Sequence, residues 1–228
     1  MWPGPAMICR QDEALISSLD EPRAHSRTLF GAATVVIAGS AIYGVSFGCW
    51  RSPEQAIIAA IKMPMLMVAV IVTAGLINAL LAAIIHPGFT RWHVGYGMLS
   101  GFAVTASVLG AFSPVLVFFA MQAPAPDSPD AMVTYRVILL IHTSCVGIAG
   151  TAGFLRLRSL LLRLTGCPER ARHVLLAWIA TCGLAGFEWS WLLSPFLARP
   201  DMPVPLLNPI AFSCNVFEYI WRAIAGTL

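Results

Sequence analysis

Five long apolar stretches limit what this sequence can fold into more than any other feature. They cover residues 29–50, 63–85, 94–121, 137–155 and 173–193. About 20 mainly apolar residues are enough for one helix to cross a hydrocarbon core of about 30 Å. Hydrophobic residues make up 58% of the chain and charged residues only 11%, whereas a soluble domain carries about 25% charged residues. The sequence therefore predicts an all-α, polytopic integral membrane protein with five transmembrane helices.

The remaining segments complete the predicted domain organisation. Residues 1–28 are polar and are expected to form a cytoplasmic N-terminal segment, while residues 29–199 form the transmembrane domain. Residues 200–228 begin with a proline-rich stretch and end in an apolar segment, which we interpret as an interfacial or re-entrant helix. Glu218 and Arg222 lie four residues apart in this segment, so they are expected to pair on one helical face.

The second transmembrane helix has a clear start signal. Ser52 is a capping residue, Pro53 suits the first helical position and Gln55 completes a capping box. The helix is expected to begin here and continue to residue 85, with Lys62 extending its ammonium group outward to water. In the third stretch, Pro114 either kinks the helix or ends it.

The basic residues predict the orientation of the chain. With the N-terminus in the cytoplasm, the cytoplasmic segments hold nine of the 14 Lys and Arg residues, as expected from the positive-inside rule. The protein is thus predicted to lie in a bacterial inner (cytoplasmic) membrane with its C-terminus outside. The fourth connection supplies five of these residues, which are either plain cytoplasmic anchors or contacts to anionic headgroups or a partner protein: Arg156, Arg158, Arg163, Arg170 and Arg172.

Small residues recur at a spacing of four in three of the stretches. Such side chains let helix backbones approach closely, and close packing drives helix association in lipid. The predicted packing residues are Ser40, Gly44, Gly48, Gly97, Gly101 and Gly147, the last flanked by Thr143 and Thr151 at the same spacing. They pack either within the bundle or against the helices of a partner.

Three polar residues inside the apolar stretches are the main candidates for function. Glu188 either takes part in ion or proton coupling, reaches the membrane interface, or pairs with Arg136 or Arg199. Asn78 is expected to make a hydrogen bond between helices. His142 either makes a hydrogen bond with a neighbouring helix, relays protons, or serves as an axial ligand to haem or a chlorin.

No other chemistry is predicted. The sequence contains no nucleophile elbow, no His-Glu-x-x-His motif, no P-loop and no paired intramembrane aspartates, so no catalytic residue is assigned. The histidine and cysteine spacings match no metal-binding motif, and no metal, resident cofactor or nucleic-acid partner is expected.

Four short motifs carry a resemblance to a known family. They are AIYG at 41–44, WRSPEQA at 50–56, IKMP at 61–64 and LGAFSP at 109–114. In these motifs and in topology the chain resembles small bacterial membrane proteins of the Yip type. The resemblance implies five spans, a cytoplasmic N-terminus, a short outer C-terminus and a role as a non-enzymatic membrane organiser.

Three functions follow as expectations. The first is a non-enzymatic accessory or scaffold subunit whose partners are the lipid bilayer and other integral membrane proteins. The second is a small oligomeric transporter or channel that uses Glu188, His142 and Asn78. The third is a haem- or pigment-binding membrane subunit that uses His142.

Overall fold

The computed structural model describes residues 22–85, 91–208 and 210–225, and these ranges contain six α-helices and no strand. Residues 1–21 of the predicted polar segment lie outside them, and residues 22–28 belong to the first helix. In chain order the helices are α1 (Pro22–Gly48), α2 (Pro53–Ile85), α3 (Arg91–Gln122), α4 (Ala131–Thr165), α5 (Pro168–Leu193) and α6 (Val216–Ile224).

The first five helices are each long and apolar enough to cross a membrane. The predicted all-α class with five candidate spans and a short C-terminal helix is therefore confirmed. Helix α6 has nine residues and is about 14 Å long, which is too short for a sixth span.

The helices pack as a closed ring in which α1 contacts α2 and α3, α4 contacts α3 and α5, and α2 contacts α5. Short connections make neighbours antiparallel, so the bundle has two distinct ends. We call one the proline end, because it holds the proline-rich segments at residues 123–130 and 194–208. The other is the arginine end, where α4 and α5 meet.

Glycines bring α1 unusually close to its two neighbours. A Cβ atom at Gly39 would lie 2.5 Å from the carbonyl oxygen of Ala106 on α3, and one at Gly48 would lie 2.6 Å from that of Gln55 on α2. At Gly44 it would contact the backbone of Ala59. Since these neighbours are backbone atoms with no room to move, only glycine permits this packing.

Helix α4 extends ten residues beyond the predicted end of the fourth stretch. The interpretation of residues 156–172 as a connector was wrong, because α4 ends at Thr165 and α5 begins at Pro168. Leu157 and Leu161 are buried in a cluster with Trp178 of α5, and this packing favours continuation of the helix. Gly166 then adopts a left-handed conformation with φ 58° and closes the helix by donating to the carbonyl of Leu162.

Prolines do not interrupt helices α2 and α3. Helix α3 runs through Pro114 to Gln122, and α2 runs through Pro64. The alternative in which the third stretch ends at Pro114 is therefore wrong. Membrane helices tolerate proline because nearby groups can satisfy the carbonyl that the proline leaves without a donor.

Candidate functional site

The main concentration of buried polar contacts is at the proline end, where the chain folds back after α5. We call residues 194–208 the C-terminal loop. Its last residue, Asn208, donates its backbone N–H to the carbonyl of Leu192 at 3.0 Å. The Asn208 side chain donates to the Trp191 carbonyl at 3.2 Å and to Ser194 Oγ at 3.1 Å. These bonds close the loop against the end of α5.

Lys62 of α2 also binds the C-terminal loop. Its side chain is fully buried, and Nζ donates to the carbonyl oxygens of Pro195 and Pro205, both at 2.8 Å. The expectation that Lys62 extends outward to water is wrong, because two prolyl carbonyls replace water as its acceptors. Lys62 lies nine residues beyond the start of α2 at Pro53, or about 14 Å along the helix. The C-terminal loop therefore runs alongside the first part of α2.

Gln55 forms the second tether. It is also fully buried, with Nε2 donating to the Phe196 carbonyl at 2.8 Å and Oε1 accepting the Ala198 N–H at 2.9 Å. Ser52 caps α2 as predicted, since its Oγ accepts the Gln55 N–H at 3.1 Å. The predicted return bond from the Gln55 side chain to the cap is not made, because the loop backbone uses its amide group.

Together these contacts satisfy backbone hydrogen-bonding groups in the irregular C-terminal loop. Arg51 adds a third tether by donating to the Pro200 carbonyl at 2.8 Å. In an apolar environment each unsatisfied backbone group costs several kcal/mol, so non-helical backbone requires protein partners. Polar side chains at the start of α2 supply those partners. The sequence does not signal this role, because Lys62 and Gln55 each have a plausible local explanation.

His142 of α4 contacts α1. Its Nδ1 lies 2.9 Å from the hydroxyl of Tyr43, and its ring stacks on Phe47 with centroids 4.2 Å apart. The predicted hydrogen bond between His142 and a neighbouring helix is therefore present. It occupies one ring nitrogen and fixes the plane of the imidazole.

Asn78 of α2 is fully buried nearer the arginine end. Its Oδ1 accepts a hydrogen bond from Thr181 Oγ1 of α5 at 2.7 Å, and its Nδ2 lies 3.6 Å from Met98 Sδ of α3. The predicted hydrogen bond between helices is therefore present. It links three helices at one point.

Glu188 lies near the end of α5 and is half-buried. The predicted pairing with Arg136 or Arg199 does not occur: Arg199 binds Asp201 at 2.9 Å, and the structure gives Glu188 no ion pair with any described residue. Glu188, His142 and Asn78 contact different elements, so the structure does not bring the three together.

A lateral apolar groove lies between α4 and α5, which contact each other at the arginine end. It encloses about 390 Å³. Its floor includes buried residues of α2 and α3 such as Met67, Val70 and Met98. Gly150 of α4 and Gly183 of α5 line its walls. We call this feature the α4–α5 groove.

The predicted packing residues divide into two groups. Ser40 is buried on α1, and Gly44, Gly48, Gly97 and Gly101 each face another helix. A Cβ at Gly97 would lie 3.1 Å from Trp178, and one at Gly101 would lie 3.3 Å from the Gly153 carbonyl.

Gly147 is the exception, because it is exposed and no atom lies within 4 Å of its Cβ position. Gly150, Gly183 and Gly186 have equally open Cβ positions. Gly150, Gly183 and Gly186 are not among the packing residues predicted from the spacing of four. A search for glycines three residues apart as well as four would have found the pairs 147/150 and 183/186.

The predicted basic residues lie on two helix ends. Arg156 is half-buried on α4, whereas Arg158 and Arg163 of α4 and Arg170 and Arg172 of α5 are exposed. They form a charged rim around the α4–α5 turn at the arginine end.

The described part of the chain contains no group of three or more His, Cys, Asp or Glu residues arranged to hold a metal ion. No protein-family model, curated protein sequence or solved structure matches this chain. The resemblance to Yip-type proteins therefore stays a prediction.

Proposed function

We propose that this chain is a non-enzymatic accessory or scaffold subunit of a larger membrane complex, and that its α4–α5 groove receives a transmembrane helix of a partner protein. One observation carries the proposal: Gly150, Gly183 and Gly186 line the groove, Gly147 directly follows its lining residue Val146, and no atom from another part of the described chain lies within 4 Å of the four Cβ positions. In lipid, small residues on a helix surface allow a second helix to approach closely.

The contrast with the other glycines supports this proposal. Where two helices of this chain pack closely, as at Gly44, Gly48 and Gly153, backbone of the neighbour fills the space that a side chain would occupy. The groove has glycines of the same kind without such a neighbour. Phe187 beside them is 61% exposed and provides an aromatic surface for a partner helix.

The experiment compares two glycine substitutions. Gly183→Leu fills the groove, and Gly75→Leu places the same side chain on α2, away from it. Neither Cβ position has an atom within 4 Å, so both variants are expected to fold. We expect native purification in mild detergent to recover the partner with the parent chain and with Gly75→Leu, and to lose at least about tenfold of it with Gly183→Leu.

Photo-crosslinking identifies the occupant. A photoreactive phenylalanine analogue at Phe187 should give an adduct with another integral membrane protein, while the same analogue at exposed Phe118 of α3 should not. Recovery of the parent only as a lone monomer would refute the accessory role. An adduct with a second copy of this chain, or with lipid alone, would refute a partner helix as the occupant.

The transporter and haem-binding alternatives receive less support. A transport path needs polar groups in sequence along one route, and Glu188, Asn78 and His142 contact different elements. Haem ligation would have to use Nε2 of His142, because Nδ1 lies 2.9 Å from the Tyr43 hydroxyl. A liposome flux assay of Glu188→Gln and an absorbance spectrum of the purified protein test these two alternatives.

We also propose that the arginine end faces the cytoplasm of a bacterial cell and that the proline end lies outside the inner membrane. The exposed arginines at the α4–α5 turn support this orientation through the positive-inside rule. The segment between α3 and α4 supports it as well, because residues 122–130 contain two aspartates and no basic residue.

A further inference from the structure

A second cavity lies between the end of α5 and the segment that follows the C-terminal loop. It encloses about 410 Å³ and is lined by Glu188, Trp189 and Trp191 on one side and by residues 211–215 on the other. It is separate from the α4–α5 groove, with which it shares no lining residue. Its volume is in the range of small-molecule sites, about 300–1,000 Å³.

The charge of this cavity is negative. Among the described residues, Glu188 is the only acidic residue that lines it, and no basic residue does. The two basic residues closest along the chain are engaged elsewhere: Arg199 binds Asp201, and Arg222 binds Glu218. A half-buried carboxylate that makes no ion pair in the described part of the chain favours a cationic ligand.

The aromatic lining indicates which class of cation this cavity would bind. Trp191 is held in place because Nε1 donates to the Cys214 carbonyl at 3.1 Å and its ring packs on Tyr219 with centroids 4.6 Å apart. Indole rings attract ammonium groups through their negative faces. A single carboxylate is a poor site for Ca²⁺, which takes six to eight oxygen ligands.

We propose that this cavity binds an alkylammonium group, in which Glu188 supplies the counter-charge and Trp189 and Trp191 supply the aromatic walls. The position favours a lipid headgroup as the source, because tryptophans near the end of a span lie at headgroup level. Phosphatidylethanolamine carries such a group on a lipid, and ethanolamine carries it in solution.

The test measures lipid adducts of the full chain by native mass spectrometry. The probes are phosphatidylethanolamine and phosphatidylglycerol with identical acyl chains. We expect the parent to bind phosphatidylethanolamine about tenfold more tightly. Glu188→Gln keeps the size of the side chain and should abolish that preference. Glu54→Gln removes an exposed carboxylate at the same end of the bundle and should keep it.

A second arm identifies the source of the ammonium group. Displacement of the lipid adduct by millimolar ethanolamine would show that the site recognises the ammonium group alone, and resistance to displacement would show that it recognises the lipid-borne group. Equal binding of both lipids by the parent, or an unchanged preference in a monodisperse Glu188→Gln variant, would overturn the proposal.

Discussion

At the scale of single residues, the glycines of the long helices differ in what surrounds them. Gly44 on α1 faces the backbone of α2, with its Cβ position 2.7 Å from the carbonyl carbon of Ala59. Gly147 on α4 has no atom within 4 Å of the same position. Both lie inside candidate spans and belong to spacing-of-four patterns. The sequence pattern is thus the same, and only the neighbouring helix distinguishes them.

This difference predicts opposite responses to one added methyl group. Gly44→Ala forces α1 and α2 apart, so the free energy of unfolding should fall by about 1–3 kcal/mol. Gly147→Ala meets no obstacle and should leave the free energy unchanged or raise it by up to about 1 kcal/mol through helix propensity. Reversible unfolding in mixed micelles, followed by circular dichroism, measures both. An equal loss in the two variants would contradict the packing described for α1 and α2.

At the scale of elements, the C-terminal loop depends on α2 more than on its own residues. Gln55 and Lys62 donate to three loop carbonyls and accept one loop N–H. Proline carries no N–H, so the four prolines of the loop contribute carbonyls without matching donors. Carbonyls are therefore the groups that need partners, and α2 provides the donors.

Removal of one tether should free the loop and leave the bundle intact. Lys62→Met keeps an unbranched side chain of similar length but leaves the carbonyls of Pro195 and Pro205 without a donor, at a cost of about 1–3 kcal/mol each. Hydrogen–deuterium exchange of residues 196–207 should become at least about tenfold faster.

The control for this prediction is Glu54→Gln, a substitution at an exposed position of the first turn of α2. Exchange in the loop should match the parent, and exchange in α3 and α4 should be unchanged in both variants. Parent-like exchange of the loop in Lys62→Met would show that Lys62 does not hold it.

At the scale of the whole molecule, the two ends of the bundle have different chemistry. The arginine end exposes guanidinium groups at the turn between α4 and α5, while the proline end carries the tethered C-terminal loop and the cavity beside Glu188. A transmembrane voltage and anionic lipids act on these two ends differently. The orientation of the bundle therefore decides which surface a cytoplasmic protein would meet.

Cysteine labelling tests the orientation. In a background without Cys9, Cys49 and Cys167, single exposed cysteines are introduced as Asp127→Cys at the proline end and Arg170→Cys at the arginine end. A membrane-impermeant maleimide should label the first on intact spheroplasts and the second only after permeabilisation, because the positive-inside rule keeps arginines in the cytoplasm. The reverse pattern would overturn the proposed orientation.

Patterns along the sequence predicted the helices well, but they predicted the contacts between helices poorly. Length and apolarity were sufficient for five helices, and Ser52 was recognised as the cap of α2. The end of α4 was placed too early, since arginines that interrupt an apolar run look like a boundary. Leu157 and Leu161 pack on α5, and this packing favours continuation of α4 to Thr165. The local sequence does not reveal such a contact between helices.

The candidate site was predicted only in part. Asn78 was expected to bond between helices, and it does so with Thr181. Lys62 was assigned to the membrane surface because a lone lysine near the start of a span normally reaches for water. Its actual acceptors lie more than 130 residues away along the chain, and no periodicity signals such a pairing.

The sequence by itself determined that this chain forms five membrane-length helices, because hydrocarbon length and backbone hydrogen bonding leave apolar segments little choice. Tertiary structure alone decided which glycines face a backbone and which face an open groove, and whether Lys62 meets water or carbonyls. Those outcomes depend on which helix stands beside which. That arrangement is fixed by packing across the whole bundle and not by any local stretch of residues.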